Sequence, residues 1–347
     1  MWQGIEGHDR IVEQFRRALE RGRLASSFLF AGPSGVGKRA FAVKLAQAMF
    51  CLNGREADLS PCGQCASCVQ VMAGTHPDLH MVGKPEGKSF IPIELLIGDQ
   101  EHRRREGLCH DISLKPSLGG RKIAVIDDAD YLNAEGANAL LKTLEEPPPR
   151  SVLILIGTTP AKQLPTIRSR CQLIRFQPLP TETVAELLAS KSLVDDPRRA
   201  GSLARYSEGS VEQAVELSVP ELWDFRNALC ERLANSPIDS LQLGRTVAEF
   251  VDQAGKEAPP RRARLRQILA FAADFHRRWL RRRCGANPAD DDEMERYVGR
   301  AMQHGLAPDA IAARLERCLD AAAQIDRNAN QATLIECWAD DLAASGN

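Results

Sequence analysis

Residues 26–50 read SSFLFAGPSGVGKRAFAVKLAQAMF, and this stretch decides the fold. The apolar run at 26–31 has the composition of a buried strand. It leads into Gly32-Pro33-Ser34-Gly35-Val36-Gly37-Lys38, which fits G-x-x-x-x-G-K, and then into a helix-forming run from Arg39 to Phe50. Strand, glycine-rich turn and helix in that order are the context a phosphate-binding loop requires. The glycines let backbone N–H groups turn inward around phosphate oxygens. The following helix points its positive end at the same place, and Lys38 adds a full charge near the outer phosphates. The next position breaks the pattern. A Ser or Thr hydroxyl there helps hold Mg2+, whereas Arg39 has no acceptor atom and carries positive charge. The sequence therefore predicts a loop for ATP or another anion in which the Mg2+ half of the chemistry is compromised.

Working outward, residues 11–22 read as an amphipathic helix ended by Gly22, and 92–106 as another helix. KIAVIDDAD (122–130) is a strand with Asp127, Asp128 and Asp130 at its carboxyl end. These acids either serve a metal and nucleotide or cap the turn that follows. Asn133 is an N-cap candidate for the next helix. In that helix Ala137, Leu140, Leu141 and Leu144 fall on one apolar face, and Pro147, Pro148 and Pro149 stop it. SVLILIGTT (151–159) and QLIRF (172–176) are further strands. Strands alternating with helices predict an α/β fold, a parallel sheet with helices on both sides. After Pro178 the strand signals end. Residues 181–218 read as a small set of helices and 254–260 as an exposed loop. Three or four helices follow from Arg261, the first with an apolar stripe of Leu265, Ile268, Leu269, Ala272, Phe275 and Trp279.

Cys51, Cys62, Cys65 and Cys68 form C-x10-C-x2-C-x2-C. Four thiolates can close a tetrahedral site around Zn2+. The close spacing also resembles ferredoxin clusters, but those continue with Cys then Pro, whereas Val69, Gln70, Val71 and Met72 follow here. A structural zinc that stabilises an insert at 51–68, poor in apolar residues, is the preferred reading. His76 and His80 read as ordinary, and Cys109, Cys171, Cys230, Cys284, Cys318 and Cys337 as small apolar fillers.

A chain of 347 residues exceeds a typical single domain. A net charge of −1 gives no support to a dedicated DNA binder. The amino terminus lacks a basic-then-apolar signal, and no apolar run approaches the roughly 18 residues that span a membrane. The expectation is a cytoplasmic protein with thiols or metal ligands in place of disulfides. The basic run of Arg261, Arg262, Arg264, Arg266, Arg277, Arg278, Arg281, Arg282 and Arg283 reads as a solvated face, or one paired with acids such as Asp290, Asp291 and Asp292, ahead of a DNA-facing surface.

NALLKTLEEPP (138–148), with Ser169-Arg170-Cys171 downstream, resembles the signature of bacterial clamp-loader subunits, which belong to the AAA+ family. The resemblance covers roughly residues 4–215 in the right order. It implies an AAA+ P-loop core at 1–177 with the zinc module at 51–68, a helical lid at 178–235 and a helical collar for oligomerisation at 236–347. A four-cysteine zinc module after the first helix of the core is also a family feature. The implied partners are the gamma/tau motor and delta subunits in a five-membered ring, with the sliding clamp and primed DNA reached through the assembly, and no membrane. Thr158 takes the place of the family's sensor-1 residue. Arg170 takes the place of an arginine finger that reaches, in trans, the γ-phosphate bound by a neighbour. A planar, always-charged guanidinium suits that role. Motor members carry Thr after the lysine, Glu after the strand-end Asp and Arg in the lid; this chain has Arg39, Asp128 and Glu212. These departures describe a stator that completes a neighbour's site while its own ATPase is absent or weak. The alternative is a gamma-type motor subunit with its own clamp-loading ATPase.

Overall fold

Five short runs pair into one sheet: β1 (Ser27–Ala31), β2 (Leu79–Val82), β3 (Lys122–Ile126), β4 (Ser151–Gly157) and β5 (Gln172–Arg175). The order is β2-β3-β4-β1-β5 and every pairing is parallel. The computed structural model describes residues 2–103, 105–118, 120–194, 197–288, 292–327 and 329–344. In register, Ala31 lies opposite both Gly157 and Arg175, so the carboxyl ends of the central strands share one edge, where open α/β sheets bind ligands.

The helices of this part are α1 (Asp9–Glu20), α2 (Lys38–Phe50), α3 (Ala66–Met72), α4 (Glu94–Ile97), α5 (Leu108–Ser113), α6 (Ala134–Glu145), α7 (Pro165–Arg168), α8 (Thr181–Ser190), α9 (Pro197–Tyr206) and α10 (Val211–Glu216). Alternation along the strands sorts side chains onto two cores. Phe28, Phe30, Ile154 and Ile156 pack with Phe15 of α1 and Phe41 of α2. Leu29, Leu153 and Leu155 pack with Leu96, Ile112 and Leu140 on the other side. The sheet is thus covered on both faces, as the near-continuous apolar β1 and β4 require.

The parallel α/β reading stands, with local corrections. β2 is a half-buried edge strand that the sequence reading left out. The helix expected over 92–106 is only α4. It stops at Gly98 (φ 79°), where an added Cβ would lie 2.6 Å from the His102 carbonyl oxygen. Gly107 (φ 87°) comes back against Gly98, its own Cβ position 2.7 Å from the Gly98 nitrogen. Two glycine segments in close approach replace the helix. Asn133 caps α6 as expected, its Oδ1 accepting from the Gly136 N–H at 2.8 Å. Ala137, Leu140 and Leu144 are buried, and Leu141 half-buried.

Packing divides the chain into residues 1–215 and 216–347. The second unit holds α11 (Pro220–Leu233), α12 (Ser240–Asp252), α13 (Ala258–Arg283), α14 (Asp292–Ala301), α15 (Pro308–Asp326) and α16 (Gln331–Ala344). α13 packs along α15, and α12 along α16. The stripe from Leu265 to Trp279 is buried throughout. α11, within the span read as lid, packs on α13 and α14. The loop expected over 254–260 is shorter, because Pro259 and Pro260 occupy the first turn of α13, where a missing N–H costs nothing. Within the basic run, Arg278 and Arg277 pair with Asp274 at 2.8 and 3.7 Å, Arg282 with Glu295 at 3.7 Å, and Arg261 with Asp252, while Arg264 lies over the Phe250 ring. Asp290 and Asp291 lie outside the described residues, as does the side chain of Asp292. Cys230 and Cys318 are buried fillers as expected, but Cys284 and Cys337 are exposed. Among the described residues no helix is long and apolar enough to cross a membrane.

Candidate nucleotide and metal sites

The phosphate loop joins β1 to α2 at the carboxyl edge of the sheet. Gly35 (φ 69°) and Gly37 (φ 95°) take left-handed conformations that turn the loop, and Gly37 is the N-cap of α2. Gly32 is held closely, since a Cβ there would lie 2.4 Å from the Phe176 carbonyl oxygen. Val36 is buried, and its carbonyl accepts from Nε2 of His8 at 2.7 Å. Burial pulls the His8 pKa below its ordinary value, which suits a neutral ring with Nε2 protonated. His8, which sequence reasoning passed over, braces the loop from the start of α1.

Lys38 is buried and donates to the carbonyls of Gly32 at 2.7 Å and Pro33 at 2.5 Å. Burial lowers its pKa, against the nearby Asp130, Asp127, Glu212 and Asp128, which raise it. Arg39 pairs with Asp127, Nη1 to Oδ2 at 3.4 Å. The residue that should offer a hydroxyl to Mg2+ is thus a cation set against the carboxylate that should also serve the metal. Mg2+ demands oxygen ligands in near-octahedral array, and this pair does not fit it. Asp128 has left-handed backbone (φ 54°), and burial, then the neighbouring Asp127, raises its pKa.

Asp130 organises the far wall. It accepts from the Thr158 N–H at 2.8 Å, from the Thr158 hydroxyl and from Gln163 Nε2 at 2.8 Å, with Lys162 Nζ at 3.7 Å. Thr158 faces the site, but its hydroxyl is already committed to Asp130. The start of α10 supplies a further wall. The Ser34 hydroxyl donates to Glu212 at 3.1 Å, and the Val211 N–H donates to the Gly35 carbonyl at 3.1 Å. Together these residues bound a cavity of about 490 Å3. Ser34, Gly35, Gly37, Lys38, Arg39, Asp127, Asp128 and Thr158 line it, as do Lys162 and Glu212. Gly32, Pro33 and Val36 shape the loop from behind.

Arg170 lies elsewhere. It follows α7 and precedes the first residue of β5, at the opposite strand end from the phosphate loop, since Phe28 pairs with Gln172 and Ala31 with Arg175. Its guanidinium binds Glu145 at 2.6 Å and donates to the Thr166 carbonyl at 2.9 Å and Ser169 Oγ at 3.3 Å. A four-residue strand at about 3.3 Å per residue separates it from the chain's own cavity. Sequence reasoning missed Glu145 as its partner, although it sits inside the quoted signature.

The four cysteines come together. Cys51 follows α2 and Cys65 is the N-cap of α3. The Sγ atoms of Cys51, Cys62, Cys65 and Cys68 all lie within 4.8 Å of one another. A tetrahedral Zn2+ with Zn–S of about 2.3 Å needs S···S near 3.8 Å, so small adjustments close the site. Backbone N–H groups of Cys62 and Cys65 point at the sulfurs of Cys51 and Cys62, each at 3.3 Å. Donors from Gln64 and Cys65 bring the Cys62 thiol down to about 6, and burial pushes Cys68 up to about 12. His76 is not a ligand: it stacks on Phe50 at 4.1 Å and bonds to Ser67 Oγ at 2.8 Å. The group can hold a metal ion.

A parallel sheet with a phosphate loop after its inner strand β1, acids at the end of β3 and the start of α10 against the loop defines a P-loop α/β protein. The sequence profile of the family described as DNA polymerase III, delta subunit, matches residues 7–180, and the chain belongs to that family. It is 34% identical to subunit delta' of DNA polymerase III from Bacillus subtilis over 209 residues, 60% of this chain and 58% of that one. It is 36% identical to subunit delta' from Pseudomonas aeruginosa over 180 residues, 52% and 51% of the two chains. It is also 31% identical to subunit tau from Escherichia coli over 218 residues, 62% of this chain and 32% of the other. The matched stretch thus spans little more than half of the delta' relatives.

Proposed function

We propose that this chain is a delta'-type stator of the bacterial DNA polymerase III clamp loader. In this reading it sits in a five-membered ring with gamma/tau motor and delta subunits in the cytoplasm. It helps place the sliding clamp on primed DNA, and it supplies Arg170 to a neighbour's ATP site. The observation that carries the reading is Arg39, a cation 3.4 Å from Asp127 at the position where hydrolysis needs a hydroxyl ligand for the metal. Asp128 and Glu212 agree: the first is one methylene shorter than the water-orienting Glu, the second a carboxylate laid over the loop. The position of Arg170, at the strand end away from its own cavity, suits action in trans. Zn2+ is the metal the four cysteines suit best, in a closed structural site.

The match to tau keeps the motor reading as the competitor. Turnover by the purified chain, alone and mixed with motor subunits, separates the two. A stator shows none alone and stimulates its partner; a motor turns over alone and loses activity on Lys38→Ala.

A further inference from the structure

The cavity beside the phosphate loop keeps its anion-binding half and has lost its metal half. Its volume of about 490 Å3 suits a small ligand. The turned loop, the start of α2 and Lys38 remain in place. Of the acids around it, Asp127 is matched by Arg39, and Asp130 by Thr158, Gln163 and Lys162, while Asp128 and Glu212, the latter bonded to the Ser34 hydroxyl, also line the cavity and oppose an anion. A divalent cation entering here would meet the Arg39 guanidinium at the position where the loop pattern calls for a hydroxyl ligand.

We propose that this pocket takes a short phosphate chain without a divalent cation, with Arg39 supplying the positive charge that Mg2+ supplies in ordinary phosphate-loop sites. The exchange is feasible because the Arg39 side chain is 69% exposed, and an exposed pair at 3.4 Å is weak. A guanidinium presents a planar fork of donors that can take phosphate oxygens bidentately while keeping one edge toward Asp127. A metal-complexed chain is the poorer ligand, since it carries less negative charge and its cation faces Arg39.

The proposal rests on the non-hydrolysing reading of the same site, and the two fail separately. Turnover alone sinks the stator reading whatever the binding shows. A requirement for metal in binding sinks this proposal whatever the turnover. The test is calorimetric titration of the full chain with ATP and with inorganic tripolyphosphate, in EDTA and in excess Mg2+. Binding is expected in EDTA and weakened by saturating Mg2+. Arg39→Thr is expected to lose at least about tenfold in EDTA, the scale of one charge-assisted hydrogen bond, and to reverse the metal preference. Equal affinity for the two probes assigns the site to the phosphate chain alone; tighter ATP assigns it to a nucleotide. Binding that appears only with Mg2+, no binding in either buffer, or an Arg39→Thr variant that matches the parent would each overturn the proposal. The comparison of the two buffers needs no variant, so it stands even if a substitution disturbs folding.

Discussion

Arg170, proposed to act in trans, is held by partners within its own chain. Glu145, at the last position of α6, holds one edge of its guanidinium at 2.6 Å, and the Thr166 carbonyl takes another donor. Pre-ordering of this kind lowers the entropic cost of placing a charge at a transition state. Arg170→Ala is expected to lower ATP turnover of a reconstituted loader, by about 10³ or more at the site it completes, while the ring still assembles by gel filtration. Unchanged turnover would remove the role. His276 offers a test of a different kind. Burial lowers its pKa to about 3 from 6.5, and its Nδ1–H donates to the Ala272 carbonyl at 2.8 Å. The unfolded chain takes up this proton below pH 6.5 and the folded chain does not until near pH 3. Stability from this residue is therefore fully present above 6.5 and is lost as pH falls, by about 1.4 kcal/mol per pH unit. His276→Gln should reduce the pH dependence of unfolding between pH 6 and 4 by about one proton; an unaltered slope would contradict the burial argument.

At the scale of elements, α6 and the cysteine insert carry separate tests. Asn133→Ala removes the cap to Gly136 and should cost about 1 kcal/mol in denaturant unfolding. Cys65→Ser should abolish metal retention in elemental analysis and lower the melting temperature; full stability with no metal in the parent would refute the site. How far these elements were legible follows from their physics. β1, the loop, α2 and β4 were readable because each buries a long apolar run, or needs glycine at a turn, within one local window. β2 was not, because four half-buried residues at an edge leave little pattern. The helix expected over 92–106 ends at Gly98, a local stop that the sequence reading passed over; the packing of Gly107 back against it was not legible. At the site, Lys38, Arg39, Asp127 and Asp128 were legible as a set. What was not legible was who holds whom: His8 on Val36, Asp130 on Thr158, Glu145 on Arg170 and Ser34 on Glu212. These contacts join residues far apart in sequence, and a loop histidine or a helix-end glutamate has no local signature.

For the whole molecule, packing into residues 1–215 and 216–347 predicts two separable cooperative transitions. The four-cysteine group lies wholly in the first unit. A strong chelator should lower the transition of that unit and leave the all-helical unit where it is; a uniform shift would mean that the metal does not act locally. The division of labour proposed for the chain, a site impaired for itself and an arginine offered to a neighbour, is tested most directly by steady-state ATP hydrolysis. The chain is assayed alone, then with motor subunits, each time as parent and as Arg170→Ala. The account predicts no turnover alone, stimulation of the motor by the parent, and loss of that stimulation in the variant. Robust turnover by the chain alone, lost on Lys38→Ala, would contradict it and make this a motor.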